Sequence, residues 1–190
     1  LIFAGLGSDG WYYEGIGYFH YAFIWLVRLA EIGERHLGVP CSKAPCFAKA
    51  RQFLKWTLFP KGKEHFAIGD NSPKAWAFGS WDEACGKGAG RDVGDDVLTH
   101  NFSHLLLCCG WRLGEGESRA VYEQIAARGF RHPEQFWSLL WDAPRTEAKE
   151  ESCHLFEDYG VWAQDCAGGK GDVLRLLAKA GPPMGRSLET

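Results

Sequence analysis

Methionine is almost missing from this sequence. Met184 is the only one among 190 residues, and the chain begins at Leu1. We therefore expect the sequence to be a fragment, in which a targeting peptide or a preceding domain would not be visible. Localisation cannot be read from an N-terminal segment in that case.

Long apolar runs and an excess of positive charge are also lacking. Residues 19–30 form an apolar run, but it is shorter than the roughly 20 residues of a bilayer-spanning helix and contains His20 and Arg28. We expect a buried helix there and no membrane span. The 21 lysines and arginines are mixed with 24 acidic residues, giving a net charge of −3. This balance argues against a nucleic-acid surface that depends on broad positive potential.

Several ligand-binding motifs lack an essential part. The glycine-rich segments 86–94 and 168–171 do not match GxxxxGKS or GxxxxGKT, so neither is a phosphate-binding loop. His100 and His104 have helical i, i+4 spacing, but the glutamate of HExxH and a third ligand are missing. We therefore predict no metal site in this sequence.

Seven cysteines are many for a cytosolic protein of this size, but an odd number cannot all pair in disulfide bonds. The sequence therefore does not assign the thiols to one redox state. Cys41 and Cys46 flank a proline-containing loop, and a disulfide bond between them is one reading. The other reading is that the thiols are buried and behave as small hydrophobic side chains.

Capping residues and prolines divide most of the chain into six predicted helices. Pro45, Pro73 and Pro133 suit the first turn of a helix, and Pro60 ends one. The predicted helices cover residues 16–37, 45–59, 73–81, 95 or 96 to 109, 117 or 118 to 129, and 133–142. Six helices joined by short loops indicate a mainly α layer.

The composition changes between residues 143 and 152, and a different periodicity follows. Residues 160–165 and 172–179 are rich in valine, leucine and aromatic residues and are joined by a glycine-rich turn, which predicts a β-hairpin. Because two strands cannot bury a sheet, we expect further strands beyond Thr190. These strands would cover the following side chains: Val161, Trp162, Leu174 and Leu176.

The segment 9–18 is the strongest candidate for a site. Gly15 and Gly17 allow the backbone to approach a ligand, and Glu14 lies where a helix N-terminus favours negative charge. Tyr18 follows Glu14 by one helical turn, and Tyr21 lies about 60° from Tyr18 around the helix. Glu14, Tyr18 and Tyr21 can therefore share a face. A tyrosine near a helix start is also a common packing residue with a hydrogen-bonded tip.

Three separated segments resemble one known family. They are DGWYYEGIGY at residues 9–18, AIGDN at residues 67–71, and HLFEDYGV at residues 154–161, continued by LLAKAG at residues 176–181. Together they resemble the heparinase II/III-like superfamily of polysaccharide lyases, most closely the branch that includes dermatan-sulfate epimerase. The segments have the order and spacing found in that superfamily.

The resemblance implies a mainly α fold, with part of an (α/α) toroid at residues 1–145. A linker and the first strands of an antiparallel β-sandwich would follow at residues 146–190. A carbohydrate cleft would lie between the two domains. The resemblance also implies a location outside the cytoplasm (secreted, periplasmic or in the secretory pathway) and no cofactor within this fragment. A divalent metal would belong to the missing part of the β-sandwich.

The activity implied by the resemblance is removal of the C5 proton of a uronic acid in an anionic, glycosaminoglycan-like polysaccharide. Elimination would make the enzyme a lyase, and reprotonation on the other face would make it an epimerase. Tyr18 matches the tyrosine that acts as general acid or base. The groups that neutralise the substrate carboxylate and complete proton transfer would lie before Leu1 and after Thr190, so the fragment alone should be inactive.

The chemistry shows why Tyr18 needs those partners. A free tyrosine has a pKa of about 10 and is protonated at neutral pH, which suits protonation of a leaving oxygen better than proton abstraction. The C5 proton becomes acidic only when the substrate carboxylate is neutralised and the enolate is held by positioned donors or a cation.

Four further residues are candidates for substrate binding, each with a structural alternative. Glu14 suits a sugar hydroxyl or a hydrogen bond at the helix end, and Tyr21 suits the cleft or the core. Trp76 and Trp81 suit a platform for sugar rings or core packing. Asp70 and the asparagine after it suit a structural turn and helix cap better than a substrate contact.

Two other functions remain open on the sequence. One is a glycan-binding protein that keeps the fold and has lost the reaction. The other is a glycoside hydrolase on a related helical toroid, which needs two carboxylates on either side of the scissile bond. Glu14 with Asp82 or Glu83 would have to supply them, but no spacing links these residues.

Overall fold

The fold is described by a computed structural model over residues 7–13, 15–58, 60, 66, 102–127, 136, 139–147 and 149–181. Four α-helices come first: α1 (Ile16–Leu37), α2 (Pro45–Thr57), α3 (Leu105–Leu113) and α4 (Glu117–Ala126). Three strands follow: β1 (Cys153–Phe156), β2 (Val161–Ala167) and β3 (Val173–Lys179). Short 3-10 turns occupy Cys41–Lys43, Phe102–His104 and Gly169–Gly171.

Local signals account for the ends of the first two helices. α1 ends at Gly38, which has a φ of 65° and donates its N–H to the carbonyl of Gly33. Glycine reaches this left-handed conformation without the steric cost that a Cβ would add. α2 has Pro45 in its first turn and ends where Leu58 becomes extended. The predicted bounds of α1 are confirmed, as is the predicted start of α2.

α4 is started by a side chain rather than by its own N-cap residue. The carboxylate of Glu115 accepts the backbone N–H of Glu117 at 2.6 Å and the backbone N–H of Ser118 at 3.2 Å. These bonds satisfy donors that a helix N-terminus otherwise leaves unpaired. The predicted start of this helix is confirmed, and its end lies at Ala126.

The three strands form one antiparallel sheet in the order β1-β2-β3. His154 pairs with Ala163 across the first two strands, and Asp165 pairs with Arg175 across the last two. Alternate side chains face opposite sides of a sheet. On the inner side, Phe156 and Ala163 are fully buried in the same hydrophobic core as the helices. The predicted hairpin is confirmed, with β1 as an additional strand.

Trp11 lies at the centre of the shared core. Its ring is fully buried and meets the edges of Phe53 from α2 at 5.1 Å and Phe156 from β1 at 4.8 Å between ring centroids. Aromatic pairs in this arrangement stabilise a fold by about 0.5–1.5 kcal/mol beyond the area they bury. The helices and the sheet are thus joined through one aromatic cluster.

The predicted fold class is wrong. A mainly α chain, with part of an (α/α) toroid followed by the first strands of a β-sandwich, does not describe these residues. They form four helices and a small three-stranded sheet, in which α2 packs against both α3 and α4 and α1 packs against α3. Helical periodicity identified individual helices, but it carries no information about how they are arranged in space.

The expectation that strands beyond Thr190 cover the sheet is also partly wrong. Val161 was expected to need further strands, yet it is fully buried on the inner side of the sheet. Trp162, Leu174 and Leu176 point to the other side and are exposed. The helical part of this chain covers the inner side of β2, so this strand does not depend on strands beyond Thr190.

Some predicted elements lie outside the described residues. They are the helix at residues 73–81, the first part of the helix predicted to end at 109, and half of the residues of the helix at 133–142. The residues 141–147 and 149–151 have no regular structure. A domain division at residues 145 and 146 stays a prediction.

Candidate functional site

The first and third motifs are in direct contact. The carboxylate of Asp9 accepts the N–H of Trp11 at 3.0 Å and the N–H of Asp158 at 3.0 Å. The carboxylate of Asp158 in turn accepts the N–H of Ser8. Gly10 has a φ of 93°, and a Cβ there would collide with the backbone of Lys49. The turn therefore requires glycine and holds two segments that are almost 150 residues apart in sequence.

His154 in the third motif is half-buried and packs against side chains of the core. Its ring is stacked on Trp56 at 6.1 Å between centroids and meets the edge of Phe156 at 4.5 Å. Burial lowers the pKa of His154 despite the nearby carboxylates of Glu151 and Asp9, which raise it. Its ring is therefore held in the neutral form.

Tyr18 lies in the first turn of α1, at the end of the first motif. Gly15 precedes the helix with a φ of 94°, and as the N-cap residue it has no side chain that could cap the helix. The Tyr18 side chain is 38% exposed, whereas the next residue, Phe19, is buried in the core. Tyr18 is therefore a partly exposed tyrosine in the first turn of the helix.

The side chains of the other predicted site residues lie outside the described part of the chain, so their positions relative to Tyr18 stay predictions. Glu14, Trp76 and Trp81 lie outside the described residues, as do Asp70, Asp82, Glu83 and His100. The backbone of Tyr21 lies in α1, but its side chain lies outside the described part. The roles predicted for these residues stay predictions.

Sequence reasoning missed an exposed aromatic residue on the same face as Tyr18. Trp25 follows Tyr18 by seven residues, which is close to two full helical turns, and its side chain is 51% exposed. The guanidinium of Arg28 lies 5.7 Å from the centroid of the Trp25 ring. The i, i+7 spacing of Tyr18 and Trp25 was the available signal, because it continues along the helix as an exposed apolar stripe through Leu29 and Ile32.

An ion-pair network lies on the neighbouring side of α1. Glu31 accepts hydrogen bonds from Arg112 and from Arg35, the latter at 2.9 Å, and Arg112 also pairs with Glu34 at 3.2 Å. Burial of Glu31 acts to raise its pKa, but the bonds from Arg112 and Arg35 outweigh it and leave the pKa lowered. Glu31 is thus a charged structural partner rather than a proton donor.

A larger cavity, of about 760 Å³, lies between α2, α4 and the sheet. Its charged side chains are largely matched, since Lys55 pairs with Glu151 at 3.3 Å and Arg175 pairs with Asp165 at 2.6 Å. Tyr18, the one predicted site residue whose side chain is described, does not line it. The charged side chains around this cavity therefore stabilise the fold through ion pairs, and we do not assign a reaction to them.

Metal and disulfide chemistry find little support in the described residues. They contain no group of three or more histidine, cysteine or acidic side chains arranged to hold a metal ion. Cys41 and Cys46 are free thiols, and burial raises the pKa of Cys46 to about 11. Such a thiol stays protonated and packs as a small hydrophobic side chain.

The described helices also bear on the predicted absence of a membrane span. No helix among them combines the length and the apolar content that crossing a bilayer requires.

Comparison with models of known protein families finds no match, and comparison with curated proteins finds none either. The resemblance to heparinase II/III-like lyases therefore stays a proposal.

Proposed function

We propose that this chain is part of a carbohydrate-active enzyme that acts on an anionic polysaccharide containing uronic acid. The reaction is removal of the C5 proton, followed by elimination or by epimerisation at C5. The proposal rests on the resemblance of three motifs. It takes over the reaction that the resemblance implies and leaves out the (α/α) toroid. The polymer is the partner, with no nucleic acid and no cofactor held by these residues.

The observation that supports the proposal best is the position of Tyr18. It is exposed at a helix end opened by glycine, and its motif is hydrogen-bonded to the third motif through Asp9 and Asp158. Two motifs chosen from the resemblance alone are thus neighbours in space. A shared site requires this proximity, and an accidental match at two unrelated positions gives no reason to expect it.

Tyr18 would serve as the proton donor to the glycosidic oxygen, or as the group that exchanges the C5 proton. Neutralisation of the substrate carboxylate and the second acid or base are assigned by the resemblance to sequence beyond this chain. An extracellular or secretory location fits the same proposal, because such polymers occur there, and no step is routed through a metal.

Substitution of Tyr18 by phenylalanine tests the proposal, because only a hydroxyl is lost. The longest natural chain that contains this sequence is incubated with glucuronate and iduronate polysaccharides in D₂O. Ultraviolet absorbance reports the unsaturated product of elimination, and deuterium at C5 reports epimerisation. We expect Tyr18→Phe to reduce both signals at least about 100-fold, the lower range of a general acid or base contribution.

Tyr159→Phe is the matched control, since it also removes one phenolic hydroxyl and lies in the third motif. It should keep most of the activity. Equal activity of Tyr18→Phe and the unaltered protein would exclude Tyr18 from the chemistry. Binding of the polysaccharide without either product would favour the alternative of a non-catalytic glycan-binding protein.

A further inference from the structure

The two carboxylate oxygens of Asp9 bind two different backbone segments. Its Oδ1 accepts the N–H of Trp11 in the first motif, and its Oδ2 accepts the N–H of Asp158 in the third motif, both at 3.0 Å. The Asp158 carboxylate completes the connection by accepting the N–H of Ser8. We call this reciprocal pair of Asp9 and Asp158 the carboxylate clasp. It attaches the first motif to the turn between β1 and β2.

The backbone connects the clasp to the helical turn that carries Tyr18. The N–H of Gly15 donates to the carbonyl of Tyr12 at 3.3 Å, and the N–H of Phe19 donates to the carbonyl of Gly15 at 2.9 Å. Trp11, which the clasp holds, is fully buried in the shared core. The segment fixed by the clasp is therefore the same segment that leads into the first turn of α1.

Gly7 provides the space in which the two carboxylates meet. A Cβ at this position would lie 2.8 Å from Oδ1 of Asp9 and 3.0 Å from Oδ2 of Asp158. Contacts this short require the neighbouring atoms to move. Because these oxygens accept the hydrogen bonds of the clasp, any larger side chain at position 7 would disturb it.

Proton transfer is more sensitive to position than polymer binding is. The donor must come within about 2.6–3.2 Å of the atom that it serves. A misplacement of about 1 Å can lower the rate roughly 100-fold. Binding of a polysaccharide is distributed over several sugar units, so a small shift at one helix end changes it less. A displaced first motif should therefore lower kcat more than it raises KM.

We propose that Asp9 is a positioning residue for proton transfer at Tyr18 and that it acts through the carboxylate clasp. This inference rests on the proposed function. The two oxygens of Asp9 hold the N–H groups of Trp11 and Asp158 at the same time, so the first motif enters α1 in a single arrangement. Asp9 takes no proton itself, and Gly7 keeps the space that this arrangement needs.

Two amide substitutions in the longest natural chain separate geometry from charge. Asp9→Asn and Asp158→Asn each remove one negative charge. The single amide oxygen can still accept the bond from Ser8 at position 158, but it can accept only one of the two N–H groups at position 9. We expect Asp9→Asn to lower kcat on uronate polymers about tenfold or more and to change KM by less than about threefold. Asp158→Asn should lower kcat far less.

Gly7→Ala tests the same arrangement without changing any charge. Its Cβ crowds both carboxylates, so kcat should fall as it does in Asp9→Asn. Gly169→Ala is the matched control, because a Cβ at that position meets no atom within 4 Å, and it should leave kcat and KM unchanged. Thermal melting establishes that each variant is folded at the assay temperature.

The outcomes distinguish the positioning role from the proposed function. A folded Asp9→Asn variant with the kcat of the unaltered protein would overturn the positioning role and leave the proposed function in place. Equal losses in Asp9→Asn and Asp158→Asn would also overturn it, because the lost charge would then account for both. If the unaltered protein shows neither elimination nor exchange at C5, the proposed function fails and the positioning role fails with it.

Discussion

At the scale of single residues, His154 shows how burial lowers the pKa of a side chain that the sequence presented only as part of a motif. Trp56 is stacked on one face of its ring, and Phe156 meets it edge-on. Its Nε2 atom is buried and has no hydrogen-bond partner among the described residues. A charged imidazolium would be poorly solvated there, which explains why burial lowers the pKa of His154.

We predict that the protein becomes less stable when the pH falls below neutrality, in part through His154. Its pKa is lower in the folded state than in the unfolded chain, so unfolding takes up a proton. Stability is therefore complete above the ordinary histidine pKa, declines as the pH falls through it and levels off below the folded-state pKa. Urea denaturation at about pH 7.5 and about pH 5.5 measures the difference on either side of that value.

His154→Gln should make this pH dependence smaller. His36→Gln is the control, because His36 is exposed in the last turn of α1. An unchanged pH dependence in the His154 variant would mean that other groups cause it.

At the scale of secondary-structure elements, Arg175 connects the sheet to a helix end. Its side chain is almost completely buried, and it forms two hydrogen bonds with the carboxylate of Asp165 at 2.6 Å. It also donates to the carbonyls of Lys55 and Leu58, at 2.5 and 2.7 Å. These carbonyls lie at the C-terminal end of α2, where a positive charge is favourable.

We predict that Arg175→Met destabilises the protein by about 3–5 kcal/mol, because it leaves the Asp165 carboxylate without its buried partner. Arg175→Met combined with Asp165→Leu should recover part of this loss, since no unpaired charge then remains. Chemical denaturation of the two variants measures the difference.

Lys149→Met is the control for this pair. Lys149 forms an exposed ion pair with Glu117 at 3.0 Å, and such pairs contribute only about 0–1 kcal/mol. If Arg175→Met costs no more than Lys149→Met, the attachment of β3 to α2 does not depend on this arginine.

Elements and their connections differ in how far the sequence predicts them. Gly38 and Pro45 act on their own neighbours, so the end of α1 and the start of α2 could be predicted. The bond from Arg175 to Leu58 joins residues 117 positions apart, and no local pattern reports it. Trp25 lies between these cases, because its spacing from Tyr18 was visible but its exposure depended on how the helix packs.

At the scale of the whole molecule, the two sides of the sheet have different environments. Phe156, Val161 and Ala163 are buried with the helices, while Leu174 and Leu176 on the outer side are exposed. The sequence shows strand alternation but does not identify the element that covers each side. The incorrect β-sandwich came from the resemblance, and strand alternation could not correct it, since a helical layer and a second sheet satisfy the same pattern.

We predict that the strands are protected from hydrogen exchange in the 190-residue chain itself. β2 is paired on both sides, with Gln164 opposite Cys153 in β1 and opposite Leu176 in β3, and its inner side is closed by the shared core. Its amides should therefore exchange only through large openings, with a protection similar to that of α2. The outer strands should exchange faster, because each has one edge without a paired strand among the described residues.

Native-state hydrogen exchange followed by NMR measures this, with the amides of α2 as the internal standard for global unfolding. Arg175→Met serves as the matched perturbation, since it removes the bonds from β3 to the end of α2 and to Asp165 without changing a residue of β2. Protection of β2 should then fall together with that of α2, because one cooperative unit opens as a whole. If β2 instead exchanges at the rate of an unfolded peptide while α2 stays protected, the sheet and the helices unfold separately, and the shared core does not bind them into one unit.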